Sequence, residues 1–285
     1  MEDSVHRLIE AATMPEFKFL RAVVFDWAGT VVDHGCMAPA IVFREVFARR
    51  NVPVTIAQAR EPMGMAKRAH IEAVAGNPQV AALWEKAHGV GCTQDDIDQM
   101  YDDFIPLQKE VLLDHSVLIE GAAQTAAECR AGGLRIGSTT GYTRSLMEVV
   151  CPRAEDQGFS PDSVLCADDT PTGRPAPWLL FRTAELLDVY PMSSIVKVDD
   201  TPVGIEAGRN AGCWTVGISR TGNGVGLSEE DVARTPADEV ARRIETATEK
   251  LNAAGAHYIL ESVSDLMPLL HQLDHALARG EAPTQ

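Results

Sequence analysis

The sequence predicts an α/β fold, a doubly wound, Rossmann-like parallel sheet core interrupted by an inserted all-helical cap domain. Three observations predict it. Short runs rich in Val and Ile recur along the chain, each followed by a helical pattern. That alternation stops between Ala38 and Asp114, where the pattern is helical throughout. Acids and Gly-Thr pairs fall just after the apolar runs, at the carboxyl ends where open parallel sheets place ligands.

Residues 1–20 read as a short amphipathic lead-in. The first strand, Val23-Val24-Phe25, closes on Asp26, and Gly29 lets the chain turn sharply behind it. In the insert, Ile41, Val42, Val46 and Phe47 recur at helical spacing. Thr55-Ile56-Ala57-Gln58 has the form of a capping box. Pro62 fits the first turn of a helix running to about Ala75, which Gly76-Asn77-Pro78 stops. Thr93 with Asp96 opens another helix that ends near Leu113. Val117–Ile119 reads as a short strand, and the helix after it stops at Gly132-Gly133. Leu134–Ser138, Ser163–Cys166, Ile195–Val198, Trp214–Ile218 and Tyr258–Leu260 supply the remaining strands. Thr235-Pro236-Ala237-Asp238 combines a cap, a proline and an acid, and reads as a helix start. Gly280 to Gln285 reads as a loose tail. The domains expected are a core of residues 1–34 and 115–285 and a helical cap of residues 35–114. Two adjacent linkers would let that cap swing over the strand ends.

The chain has 285 residues, 41 acidic against 25 basic, for a formal net charge of −16. Nucleic acid and anionic membrane surfaces need a basic footprint, so neither is an expected partner. No signal peptide or membrane span is apparent. The six cysteines form no CxxC pair and no framework, which predicts a reducing, cytoplasmic setting.

Four strand ends offer polar groups to one crevice: Asp26, then Thr140 and Gly141, then Arg174, then Asp199 and Asp200. Any one alone would be an ordinary cap or turn residue. Asp26 with one of Asp199 and Asp200 suits Mg²⁺, which prefers hard oxygen ligands and keeps several waters. Thr140 and the Gly141 N–H would hold phosphate oxygens. Arg174 brings positive charge that the acidic chain otherwise lacks.

Asp26 to Thr30, Thr140-Gly141, Arg174 and Val198-Asp199-Asp200-Thr201 resemble the four motifs of the haloacid dehalogenase superfamily of phosphohydrolases. The resemblance covers nearly the whole chain, the helical insert included. It implies Asp26 as the nucleophile of an aspartyl-phosphate. Most of the superfamily's phosphatases carry a second Asp two residues later, which protonates the leaving oxygen. Ala28 stands there instead, so ordinary ester hydrolysis lacks its acid. A leaving group that departs through carbon needs an electron sink instead.

The insert offers one. Met63, Lys67 and His70 fall at i, i+4 and i+7, the spacing of one helix face. An amine among methionines is partly desolvated, which lowers its pKa and frees it to condense with a carbonyl. His70, one turn on, is placed to move protons. An isolated lysine beside Arg68 would read as a solvated surface residue. The wider pattern decides: Trp-Ala-Gly-Thr, Pro-Met-Gly-x-x-Lys-x-x-His, Ser-Thr-Thr-Gly-Tyr-Thr-Arg and Gly-Arg-Pro-x-Pro-Trp together resemble the phosphonatase (phosphonoacetaldehyde hydrolase) family.

That resemblance implies C–P hydrolysis of a small phosphonate through a Lys67 Schiff base. It implies Mg²⁺ held by Asp26, the backbone oxygen of Ala28 and the Asp200 carboxylate. Cys36, Met63 and Tyr142 are expected near the aldehyde end, with Cys36 otherwise a buried apolar filler. Relatives usually have Gly where this chain has Asp199, whose extra charge is expected to face solvent or to stand behind the metal ligands. A homodimer paired through the caps is also implied. A dehalogenase would use neither paired acids nor the lysine, a conventional phosphatase would want Asp at position 28, and a binding module would not need Asp26, Lys67 and Asp200 together.

Overall fold

A computed structural model describes residues 16–284; most of the lead-in read over residues 1–20 lies outside them. The first apolar run forms β1 (Ala22–Phe25). Five helices follow: α1 (Met37–Ala48), α2 (Ile56–Arg60), α3 (Lys67–Gly76), α4 (Pro78–His88) and α5 (Gln94–Leu112). Strand and helix then alternate. In order come α6 (Ala122–Ala131), β2 (Arg135–Thr139), α7 (Arg144–Asp156), β3 (Ser163–Leu165), α8 (Trp178–Leu187), β4 (Ile195–Asp199) and α9 (Pro202–Ala211). The chain ends with β5 (Trp214–Ile218), α10 (Glu229–Arg234), α11 (Ala237–Ala253), β6 (Tyr258–Leu260) and α12 (Leu266–Ala278).

All strand pairs are parallel, in the order β3-β2-β1-β4-β5-β6. The chain moves outward on one side of β1 and then returns to build the other, the doubly wound order expected. β1, β4 and β5 are buried at every residue, because helices cover both faces; this is why they read as mainly apolar runs, unbroken in β1 and interrupted only by Lys197 in β4, ahead of its closing Asp199, and by Thr215 in β5. Phe25 pairs level with Ser138 on β2 and with Val198 on β4. That register delivers Asp26, Thr140 and Asp199-Asp200 to one edge, where the winding reverses.

The insert is helical as read, and both capping boxes form, at Thr55 with Gln58 and at Thr93 with Asp96. Phe43, Phe47, Ile71, Trp84, Met100 and Phe104 are buried in a core continuous with the apolar layer of the sheet. Asp33 ties the two linkers. Its carboxylate accepts from the Met37 and Ala38 N–H groups at the start of α1, and His115 Nδ1 lies 3.1 Å away.

Four local readings are corrected. The helix expected from Pro62 to Ala75 is broken: residues 61–66 are a turn, and α3 begins at Lys67. Gly64, at φ +94°, carries that turn. Val117–Ile119 is not a strand; only Leu118 bridges Val32, antiparallel. Thr235 does not cap α11, since its hydroxyl donates back to the Asp231 carbonyl. Of the tail read over 280–285, Gln285 lies outside the described residues, and Thr284 is not loose: its carbonyl lies 2.9 Å from His257 Nε2. Among the described residues no helix is long and apolar enough to cross a membrane, and all six cysteines are unpaired.

Candidate active site

Asp26 leaves β1 where the sheet edge opens, and it is buried. Arg174, from the loop between β3 and α8, reaches across with Nη2 2.7 Å from Asp26 Oδ1. The same guanidinium donates to the carbonyl and hydroxyl of Thr139. Its other nitrogen lies 3.2 Å from Asp199 Oδ2, and Lys197 Nζ lies 2.9 Å from that oxygen. Asp199 therefore does not face solvent. It is fully buried, with Oδ1 accepting from the Thr201 amide at 3.0 Å and hydroxyl at 2.7 Å. Gly204 makes the room: a Cβ there would lie 2.0 Å from the Asp199 carboxyl carbon. Burial opposes charge on Asp199, but Arg174 and Lys197 outweigh it and hold its pKa below the usual carboxylate value.

Asp200 is treated differently. Its Oδ2 accepts from the Asn223 amide at 2.6 Å, and its Oδ1 is buried without a partner. Burial, then repulsion from Asp26 and Asp199, pushes its pKa well up. Asp26 is raised by burial and by Asp199, against the pull of Arg174 and Lys197. Oxygens of Asp26, Asp199 and Asp200 all lie within 4.8 Å of one another. Three acids with two cations, and one orphaned oxygen, leave a deficit of positive charge that a divalent cation with oxygen ligands fits. Gly29 admits the backbone to this cluster: it sits at φ +85°, and a Cβ there would lie 2.3 Å from Asp200 Oδ2. Next to it, the Ala28 carbonyl accepts from Cys36 Sγ at 3.0 Å.

Lys67 opens α3 and lines one cavity with Asp26. Its Nζ lies 4.4 Å from the Tyr142 ring centroid, with the rings of Phe43 and Phe104 at 5.4 and 5.9 Å. Burial lowers its pKa to about 8, although Cys36 and Asp26 favour the charged form. Asp26, Ala28, Cys36, Met63, Lys67, Thr140, Gly141, Tyr142 and Arg174 line one cavity of about 20 Å³. Of the eleven site residues named from the sequence, these nine converge on one space, and His70 and Asp200 are the two that do not line it. A larger groove of about 390 Å³ beside Asp33, His115 and Arg220 shares no lining residue with it.

His70 is near but not in that cavity. It lies on α3 with Lys67, while Met63 stands in the preceding turn, so the three do not share one helix face. The His70 ring stacks on Phe43, and Nε2 lies 2.8 Å from the Ala59 carbonyl, which leaves Nδ1 without a partner. Burial, and then Lys67, lowers its pKa to about 3. A measurable consequence follows from the sign. The unfolded chain binds a proton here below about pH 6.5 and the folded chain does not. Stability is therefore expected to fall by about 1.4 kcal/mol per pH unit as the pH drops from about 6 toward 3. Urea unfolding at a series of pH values checks this, and His70→Gln should remove that part of the slope.

Several residues here were not singled out from the sequence. Lys197, Phe43, Phe104, Arg60 and Asn223 all touch the site or its neighbours. Lys197 carried a signal, since a lysine inside Ile-Val-Lys-Val must find a buried acid. The aromatic pair carried none, because Phe43 and Phe104 read as ordinary core.

The haloacid dehalogenase-like hydrolase family model matches residues 20–212. The phosphonoacetaldehyde hydrolase of Paraburkholderia xenovorans is 49% identical over 266 residues, 93% of this chain and all of that one. The phosphonoacetaldehyde hydrolase of Bacillus cereus is 40% identical, covering 90% of this chain and 97% of its own length. A crystal structure of a phosphonoacetaldehyde hydrolase-like protein from Oleispira antarctica superposes with a TM-score of 0.91 at 38% identity, covering 96% of this chain and 100% of that one. The chain belongs to the haloacid dehalogenase-like hydrolases and, within them, to the phosphonoacetaldehyde hydrolase family.

Proposed function

We propose that the chain hydrolyses the C–P bond of phosphonoacetaldehyde, giving acetaldehyde and phosphate. The observation that carries this is a buried amine of lowered pKa, Lys67, lining one cavity with the carboxylate of Asp26. Neutral Lys67 adds to the aldehyde, and the resulting carbinolamine takes up one proton and loses water, giving an iminium. Asp26 attacks phosphorus, the C–P bond breaks, and its electron pair moves into the iminium to leave a neutral enamine. Protonation on carbon regenerates the iminium, which water cleaves to acetaldehyde and the free amine. A second water cleaves the aspartyl-phosphate.

The other residues take roles that their surroundings support. Arg174, Thr140 and the Gly141 N–H bind the phosphonate oxygens. Tyr142, Met63 and Cys36 close around the two-carbon end and keep water away. His70 stays neutral beside Lys67, with Nε2 on the Ala59 carbonyl and Nδ1 unpartnered, so its proposed part is to relay a proton only transiently rather than to hold one. Mg²⁺, held by Asp26, Asp200 and the Ala28 carbonyl, would supply charge to offset the phosphonate. Ala28 matters because no ester oxygen needs an acid. Ala28→Asp is expected to cut C–P cleavage by about 100-fold or more, since a fourth buried carboxylate would pair with the incoming amine. Phosphate release assays check this, and full activity in that variant would refute the account of position 28.

A cavity of about 20 Å³ has room for little more than one water. Entry of substrate therefore calls for displacement of the segment 35–114, which we read as a lid on the core of residues 1–34 and 115–285. The family resemblance supports a homodimer, and the six unpaired cysteines support a reducing, cytoplasmic setting in which the aldehyde arises from 2-aminoethylphosphonate.

Borohydride tests the chemistry directly. Added with phosphonoacetaldehyde, it should reduce the imine and leave a mass increase on the peptide holding Lys67, with loss of activity. Turnover with no tag, or a tag on another lysine, would remove the Schiff-base step.

A further inference from the structure

Arg60 closes α2 and is nine-tenths buried, yet it reaches no acid within salt-bridge distance among the described residues. Its guanidinium binds the core instead. Nη1 donates to the Gly35 carbonyl at 2.6 Å and to Asn223 Oδ1 at 2.9 Å. Asn223 answers with Nδ2, which donates to the Arg60 carbonyl at 3.2 Å. The backbone of that same Asn223 makes the 2.6 Å hydrogen bond to Asp200 Oδ2. Three parts of the chain thus meet at one point: the helical insert at Arg60, a linker at Gly35 and the loop after β5 at Asn223. The loop is tied to the linker again by Gly35 N–H donating to the Thr221 carbonyl at 2.7 Å.

We propose that Arg60 and Asn223 form a clasp through which closure of the helical insert sets the orientation of Asp200. Asn223 has one side chain for Arg60 and one amide for Asp200, so the two contacts share a rigid residue. With the insert closed, the clasp holds the Asn223 amide on Oδ2 and so fixes the carboxylate, whose Oδ1 is left unpartnered, within the acid cluster. With the insert displaced, Arg60 withdraws, and the loop is free to release the carboxylate. Both are positioning residues. The inference rests on the reading of residues 35–114 as a lid, and it assigns that lid a second task besides excluding water.

The test compares Arg60→Gln, Asn223→Ala and the double variant, with Arg60→Lys as a milder change and circular dichroism to confirm folding. Hydrogen exchange of the Asn223 amide and calorimetric titration with Mg²⁺ read the clasp without substrate. Either single variant should speed exchange of that amide and weaken Mg²⁺ binding by about tenfold. The double variant should lose no more than the worse single one, because one contact is being removed twice. Arg60→Lys should recover part of both effects. Unchanged exchange at Asn223 in folded Arg60→Gln, or losses that add in the double variant, would overturn the clasp. An intact wild-type clasp in a protein that releases no phosphate from phosphonoacetaldehyde would instead sink the C–P reading alone.

Discussion

Asp26→Asn is expected to abolish phosphate release from phosphonoacetaldehyde, with kcat down by at least about 10⁴-fold. The amide keeps the size of the carboxylate but has no anionic oxygen to bond phosphorus. The fold should not suffer. Asp26 is buried among acids, and burial together with Asp199 already raises its pKa. Removing one charge from that cluster eases repulsion with Asp200. Arg174 loses one partner but keeps Asp199 and Thr139. A melting temperature at or above that of the parent chain is therefore expected beside the loss of turnover. Acid quench of the parent enzyme during turnover should yield a phosphorylated peptide containing Asp26, and the variant should yield none. Phosphate release by Asp26→Asn within tenfold of the parent would exclude Asp26 as nucleophile.

The strand ends were legible because two physical signals coincide there. A strand covered on both faces reads as a continuous apolar run, and the polar residue that stops it marks the open edge. Asp26, Thr140 and Asp200 were found this way, and the level register of β1, β2 and β4 puts them together. The apolar insert was legible from its helical spacing and its two capping boxes. Local signals misled where a long-range contact decides. Pro62 is chemically suited to a first helical turn, yet Gly64 turns the chain again and α3 starts only at Lys67. Leu118 has the composition of a strand but finds a single bridge to Val32. Asp199 is the instructive case. From the sequence it reads as facing solvent or standing behind the metal ligands, and the structure decides against solvent: Lys197 and Arg174 are both buried against it, and Gly204 leaves room for its carboxylate. Spacing along the chain cannot convey that four residues on three elements share one void. Arg60 is invisible for the same reason: its partners are a carbonyl and an amide in distant loops.

Lys67→Arg is expected to lower kcat by at least about 10³-fold while leaving phosphonate binding within a few-fold of the parent. Arginine retains the positive charge, so a loss would not be one of electrostatics. What it lacks is a nitrogen that can be deprotonated to add to an aldehyde. The argument turns on how much free amine the site provides. At pH 7.5 a lysine of ordinary pKa is neutral in about one molecule in a thousand. Burial brings Lys67 to about 8, against the opposing pull of Cys36 and Asp26. About a quarter of the molecules then hold a free amine at that pH, a gain of about two orders of magnitude. The rings of Tyr142, Phe43 and Phe104 keep this burial from costing the charged state everything, since a cation over an aromatic face is partly compensated. The iminium that follows is also a cation, so the same rings favour it. The sign of the pH dependence is then fixed. Where condensation limits the rate, kcat/KM should rise about tenfold per pH unit below 8 and level off above it. Phe104→Leu should move that bend, because it alters both the burial of the amine and the ring beneath it. A pH profile flat between 6 and 9, or an arginine variant that turns over at a tenth of the parent rate, would leave the amine without a covalent role.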